Sequence, residues 1–427
     1  MPVERRTPIQ VGEAVKRIMP FSPKGKVESV DLVESYGRYL AAPLKATHDV
    51  PPFPKSPYDG FAIRAEDSIE ASGQNAVEFE IVDEIGAGYV SSKQIGKLQA
   101  VRIMTGAQMP AFTNAVVMLE LTKEYEQDGK KYMSIKRPFK QGDNVSFQGE
   151  DAKKGTALVE KGTPINPGVQ ALLATFGYGK VQVAKKPVIG VYATGTELLD
   201  VEEPLVPGKI RNSNSYMVQG QIKRSGAIAK YFGKLEDDFD TCFEAVKNAL
   251  SQVDMLITTG GVSVGDYDYL PAIYEKLGAN VLFNKVAMRP GSVTTVAKWN
   301  GKLLFGLSGN PSACFVGYEL FVRPVVRRML FSDMPHLQAV EAELGEDFPK
   351  PNPFSRFVRG TLFFEGGRVV VRPSGLDKSN VVTSLSGANV LIVLPGGTRG
   401  FQTGMAVKAL LLEDETGSVW PWGEEAE

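Results

Sequence analysis

The chain is poor in the side chains that most often carry covalent or metal chemistry. Among 427 residues it has 2 cysteines, Cys242 and Cys314, and 2 histidines, His48 and His336. Two thiols build neither a disulfide scaffold nor a thiolate zinc site. Two histidines exclude multi-histidine metal centres and leave little material for a Ser-His-Asp mechanism. A surplus of one charge is missing too: 48 Lys+Arg against 49 Asp+Glu leave a net charge of −1, so no global field attracts nucleic acid. No apolar run approaches the roughly 18 residues of a membrane span. The segment from Met1 to Pro20 has no apolar stretch of the kind a signal peptide needs. The expectation is a soluble, cytoplasmic protein whose chemistry is run by carboxylates, Lys, Arg and backbone amides, with no nucleic-acid or membrane partner.

What the chain does have is length for two to four domains and 44 Gly with 27 Pro, which imply many tight turns. Val11 to Met19 has helical spacing, and Lys26 to Ser35 alternates like a strand. Pro51, Pro52, Pro54 and Pro57 then form a rigid extended entry into a new unit. Short β patterns follow at Val101 to Met104, Ala115 to Leu119 and Lys131 to Lys136. From Lys186 the texture becomes strand–helix alternation. Strands are predicted at Val188 to Tyr192, Ala227 to Phe232, Asp254 to Thr259 and Val281 to Phe283, with a hairpin around Asn300-Gly301. Helices are predicted at Tyr216 to Arg224, Asp238 to Leu250, Pro271 to Leu277 and from Asn310-Pro311 to about Leu330. After Pro335 short strands return, at Phe357 to Phe364, Arg368 to Arg372, Val390 to Leu394 and Ala406 to Leu412. The fold class is therefore α/β and multidomain: a central open α/β sheet, an inserted β-rich domain and a C-terminal β-barrel-like domain.

Ligands of open α/β sheets bind at the carboxyl ends of the strands. Those ends carry Gly195-Thr-Glu197, Glu236-Asp-Asp238, Gly260-Gly261 through Asp268, and Ser308-Gly-Asn-Pro311. Glycines and a helix start suit a phosphate. Carboxylates would repel it unless a hard divalent cation such as Mg²⁺ bridges the two. Glu197, Asp237 and Asp268 are the candidate metal ligands, with Lys285 and Arg289 as the opposing cations. Together they point to metal-assisted phosphoanhydride chemistry. Taken singly, each signal has an ordinary structural explanation. Gly260-Gly261 suits a plain turn, Asp237 and Asp238 a helix start, Lys285 and Arg289 a solvated surface, and Asn310-Pro311 a cap. Cys314 sits in a core-like run, Ala313 to Gly317, and neither histidine is assigned a role.

Motifs occur in a fixed order: Ser56 to Ala62 (SPYDGFA), Arg102 to Ala107 (RIMTGA), Gly149-Glu-Asp151, Thr194 to Leu198 (TGTEL), Thr259 to Asp268 (TGGVSVGDYD) and Ser308-Gly-Asn-Pro311. Over nearly the whole chain they resemble the molybdopterin molybdenumtransferases of the MoeA type, related to the E domain of gephyrin. The resemblance implies a homodimer of four-domain subunits. Residues 1–26 and 186–333 would form the central domain, 27–46 and 152–185 a connecting domain, 47–151 the inserted domain and 334–427 the C-terminal domain. It implies insertion of molybdate into adenylylated molybdopterin with release of AMP, in a cleft shared between subunits. Asp59, Thr105 and Asp151 would reach that cleft from the inserted domain. Gly260, Gly261, Ser308, Pro311 and Ser312 would bind substrate, and Arg356 and Ser384 would help hold molybdate. A molybdopterin adenylyltransferase is an implied partner. Two departures stand out: Ser308 occupies a position where the family commonly has Pro, and Arg289-Pro-Gly-Ser292 stands where it often has Lys-Pro-Gly-Lys, so one cation is missing. Rival readings are an adenylyltransferase or nucleotide pyrophosphatase on the same central fold, and a non-catalytic scaffold.

Overall fold

The structure, a computed structural model, describes residues 7–236, 238–261, 269–414 and 417–422. The chain divides into two units, one of Met1–Ala42, Lys161–Gln170 and Gly179–Glu427, the other of Pro43–Glu160 and Ala171–Tyr178.

The centre of the first unit is a six-stranded sheet ordered Ile228–Lys234, Val188–Ala193, Met255–Thr259, Lys302–Leu307, Thr295–Trp299, Asn280–Phe283. The first four strands pair parallel, and Thr295–Trp299 runs antiparallel to both of its neighbours. Parallel strands need helical crossovers, which cover both faces, so their sequences are apolar almost throughout. That is the case for Val188–Ala193, Met255–Thr259 and Lys302–Leu307, whereas the edge strand Ile228–Lys234 keeps two lysines and stays partly exposed. Ile189, Val191, Ile257 and Phe305 point into one core with Val218, Ile222, Val316 and Tyr318 of the helices on that side. Leu256 and Leu304 point the other way, against Cys242, Val246, Leu250, Ile273 and Tyr274 of helices Phe239–Gln252 and Leu270–Leu277.

The long helix predicted from Pro311 is continuous to Met329, but with a π-helical turn at Tyr318–Val322 between α-helical Pro311–Gly317 and Arg323–Met329. Pro324 has no N–H to give to the preceding turn, so the hydrogen-bond ladder is already interrupted there. Upstream, Val27–Asp31 pairs antiparallel with Lys180–Ala184. The strand expected through Ser35 stops early: Leu32–Ser35 is a tight turn in which the Ser35 hydroxyl donates to the Leu32 carbonyl at 2.7 Å.

The C-terminal part is a closed barrel. Ser355–Glu365, Arg368–Pro373, Ala339–Leu344, Ala406–Leu411 and Val390–Leu394 are paired in that order, and Val390–Leu394 closes back on Ser355–Glu365. Closure leaves no open edge among them. Strand Ala339–Leu344 is absent from the sequence-based prediction. Its alternation of Val340, Ala342 and Leu344 with Glu341 and Glu343 is the signal that could have found it. The two-residue strand Met288–Arg289 adds alongside the barrel and sets Arg289 opposite Arg356.

The second unit holds another six-stranded sheet, ordered Ala115–Met118, Gly60–Ile63, Gln99–Ile103, Val77–Ile85, Lys130–Ile135, Lys123–Gln127. Its core is built on Phe61, Ile63, Phe79, Val117 and Met133. These strands include the short β patterns read from the sequence.

Candidate active site

The loops that leave the carboxyl ends of the four parallel strands open onto one cleft of 870 Å³. Its walls include Thr194 to Glu197, Leu235, Glu236, Gly260, Gly261 and Ser308 to Asn310. The loops lie so close that side chains are excluded at one point. A Cβ on Gly260 would sit 2.6 Å from the Thr194 hydroxyl and 2.9 Å from its carbonyl, and the residue has φ +95°, where only glycine is unstrained. The crest of the sheet is therefore bare backbone, and a ligand can approach it closely.

Glu197 reaches this cleft, and its carboxylate has no hydrogen bond or ion pair with any described residue. Glu236, which the sequence reading passed over for its neighbour, is also on the wall. Asp237 and Asp268, the other two candidate metal ligands, lie outside the described residues. Among the described residues no three Asp, Glu, His or Cys side chains gather closely enough to share a metal ion. The oxygens of Glu197 and Glu236 are nevertheless the donor type that a hard cation takes.

A second cleft, of 300 Å³, adjoins the first and shares Val293, Ser308 and Asn310 with it. Its character is the reverse. Arg289, Arg356 and Lys378 line it, with Asp377 as its one carboxylate. Asp377 is already engaged: Arg356 Nη1 lies 2.5 Å from one of its oxygens and Arg359 Nη1 2.9 Å from the other. Arg356 also donates from Nε to Asn352 Oδ1 at 2.6 Å, and both guanidiniums are buried. Burial lowers the Arg359 pKa from its ordinary value, with Asp377 opposing that shift. Two buried guanidiniums on one carboxylate leave positive charge over, and Arg289 and Lys378 add to it. A cavity of this kind favours an oxyanion.

The remaining predicted residues are distributed unevenly. Ser308, Gly260 and Gly261 lie on the clefts. Pro311 is the first residue of its helix. Ser312 is buried, and both its donors are spent: its amide on the Ser379 carbonyl at 3.0 Å and its hydroxyl on the Val381 carbonyl at 2.6 Å. Ser384 is buried at the barrel, with its Oγ 3.4 Å from Arg359 Nε. Lys285 follows strand Asn280–Phe283, where its carbonyl accepts from Ile9, and is not among the residues lining the two clefts.

In the second unit, Asp59 Oδ1 accepts from both the amide (2.7 Å) and the hydroxyl (2.9 Å) of Thr105. The backbone hydrogen bond chiefly holds the Asp59 carboxyl below its ordinary pKa. Asp151 is exposed beside the Val50–Ala152 bridge and makes no side-chain hydrogen bond to either residue. Both thiols are buried, and burial pushes the Cys314 pKa upward, away from reactivity. His48 packs on Phe176 at 5.3 Å between ring centres, and His336 is buried against Trp420 at 5.8 Å.

Three family models match successive parts of the chain. They are the MoeA N-terminal region (domain I and II) over residues 9–177, the probable molybdopterin binding domain over 190–328 and the MoeA C-terminal region (domain IV) over 341–412. The molybdopterin molybdenumtransferase of Bacillus subtilis strain 168 is 60% identical over 98% of this chain and 98% of its own length. That of Staphylococcus epidermidis RP62A is 52% identical over 97% and 98%. The crystal structure of the molybdopterin biosynthesis moeA protein from Pyrococcus horikoshii OT3 aligns with a TM-score of 0.81 at 30% identity, covering 95% of this chain and 100% of that one. With motifs, topology and full-length similarity in agreement, the chain belongs to the MoeA family of molybdopterin molybdenumtransferases.

Proposed function

We propose that the chain inserts molybdate into adenylylated molybdopterin and releases AMP, completing a molybdenum cofactor. The observation that carries this reading is the pair of adjoining clefts of opposite charge, which share Ser308 and Asn310. A cleft of 870 Å³ lies within the usual size range of small-molecule sites, and the bare backbone at Gly260 and Gly261 suits a phosphoanhydride. The smaller cationic cleft suits molybdate, an oxyanion, between Arg289, Lys378 and Arg356. Asn352 and Asp377 hold Arg356 in place, so its orientation is set before a ligand arrives.

The residues that would hold Mg²⁺ are Glu197 together with Asp237 and Asp268. A divalent cation at such carboxylates supplies Lewis-acid withdrawal of charge from phosphate oxygens. Without such a cation the Glu197 carboxylate would repel the phosphate end of the substrate. The reading uses no covalent enzyme intermediate, in keeping with two buried cysteines. Asp59, Thr105 and Asp151 would orient the pterin or water in the cleft of a second copy, in a homodimer. The reading also places the protein in the cytoplasm beside a molybdopterin adenylyltransferase. No helix among the described residues is long and apolar enough to cross a membrane.

Purified protein incubated with adenylylated molybdopterin, molybdate and Mg²⁺ tests the proposal. AMP and active cofactor are expected, both dependent on molybdate. Pyrophosphate release from ATP without molybdate-dependent AMP would instead establish an adenylyltransferase or pyrophosphatase, and no turnover with any of these substrates would favour a scaffold.

A further inference from the structure

Asn214 opens helix Asn214–Arg224 and is buried, yet it belongs to none of the motifs above. Its Nδ2 donates to the carbonyl of Gly309 at 2.7 Å, while its Oδ1 is buried with no hydrogen-bond partner. A buried amide is costly to leave half-satisfied, so the bond it does make has to justify its place. That bond falls on the short loop forming the wall between the two clefts, since Ser308 and Asn310 line both. In a trans peptide the C=O and N–H point in opposite directions. With the Gly309 carbonyl drawn toward Asn214, the N–H of Asn310 faces the other way. There it meets the hydroxyl oxygen of Ser308 at 3.2 Å. Ser308 Oγ is thus an acceptor within the loop and donates to no described residue, so its hydrogen is left for a ligand.

We propose that Asn214 is a positioning residue: by holding the Gly309 carbonyl it fixes the Gly309–Asn310 peptide plane, and so leaves Ser308 with a hydroxyl hydrogen to donate to a ligand oxygen where the two clefts meet. The relay runs from the Asn214 amide through one peptide group to one hydroxyl, each bond polarising the next. Without it, glycine at 309 makes rotation of that peptide easy. Ser308 would then lose the N–H it accepts and turn its own hydrogen inward to a backbone carbonyl. The functional part of this inference rests on the reading of the clefts as the site for adenylylated molybdopterin and molybdate.

The test is a double-mutant cycle in the full chain with Asn214→Ala, Ser308→Ala and the double variant, reading KM for molybdate, kcat and Tm. Each single change is expected to raise KM about tenfold, the worth of one hydrogen bond to a charged ligand. kcat should change much less, and Tm for Ser308→Ala should stay at the wild-type value. The double variant should be no worse than Ser308→Ala. Factors that multiply to about a hundredfold, or an Asn214 change that leaves KM untouched, would overturn the proposal. A crystal structure of Asn214→Leu decides the structural part without any substrate. A leucine side chain of similar size has no donor, so the Gly309 carbonyl should rotate away; finding it unmoved would sink the lock even if the protein proved to catalyse a different reaction.

Discussion

Single residues account for the sharpest features of this molecule. Gly260 is one: at φ +95° with a Cβ position 2.6 Å from the Thr194 hydroxyl, Gly260→Ala should cost more than the roughly 1–2 kcal/mol of left-handed strain alone. It should also push apart the loops that line the cleft. Thermal unfolding and ligand titration of the variant would measure both effects. His336 is another. Burial, with Arg328 adding to it, pushes its pKa down from 6.5 to about 4. The folded state therefore keeps the ring neutral where the unfolded chain takes up a proton. Stability is full above pH 6.5, falls between 6.5 and 4, and levels off below, with a loss of about 3 kcal/mol over that window. His336→Leu should flatten the fall in denaturant midpoint between those two pH values; an unchanged slope would refute the assignment. Asp59 works on the carboxylate side. Its pKa is held below the ordinary 3.8, chiefly by the Thr105 amide, so the Thr105 clasp contributes above that value and fades as pH falls through the lower folded pKa. The difference in Tm between wild type and Asp59→Asn should accordingly be visible at pH 7 and vanish in strong acid.

At the scale of elements, the run Pro311–Gly317, Tyr318–Val322 and Arg323–Met329 is the spine of the larger unit. It carries a buried ion-pair cluster on its π-helical turn. Glu319 accepts from Gln221 at 2.7 Å, pairs with Arg323 at 3.1 Å and also engages Arg224. Arg323 in turn donates to the carbonyls of Leu412 and Asp414, tying the spine to the end of the last barrel strand. A buried pair need not add stability over an apolar substitute, but losing one partner strands the others. Glu319→Ala should cost about 3–5 kcal/mol in urea unfolding, whereas a surface pair such as Arg17 with Glu13 should matter little when broken. A short edge element has a comparable effect on the site. Because Met288–Arg289 adds beside Ser355–Arg356, two cations from distant parts of the sequence face one cavity.

At the scale of the whole molecule, the proposed sharing of a site between subunits has a quantitative consequence. Asp59→Asn and Glu197→Gln would each inactivate a homodimer, but through different halves of the site. After mixing and subunit exchange, half the dimers carry one change in each chain, and one of their two sites is intact, so about a quarter of wild-type activity should return. No recovery from fully exchanged mixtures would assign both residues to sites within one subunit.

The order of strands and helices between Val188 and Met329 was legible in the sequence, because buried parallel strands are short apolar runs and the intervening helices announce themselves by caps and periodicity. The strand-end loops Thr194 to Glu197, Gly260-Gly261 and Ser308 to Asn310 were legible for the same reason: topology alone sends the carboxyl ends of parallel strands to one rim. The motifs from Ser56 to Pro311 likewise carried the family. Tertiary structure alone decided what chemistry each rim residue has to spare. The resemblance assigns Ser312 to substrate, but its amide and hydroxyl are engaged by the loop at Ser379 to Val381. Arg289 and Arg356 are 67 positions apart and become neighbours only through an added edge strand. Asn214 reads in sequence only as part of a capping run, Asn212 to Ser215, ahead of a helix, since a hydrogen bond to a carbonyl 95 residues away leaves no local trace. Periodicity and capping are local forces and are written along the chain. Which donors remain unspent depends on contacts between distant segments, and those exist only after folding.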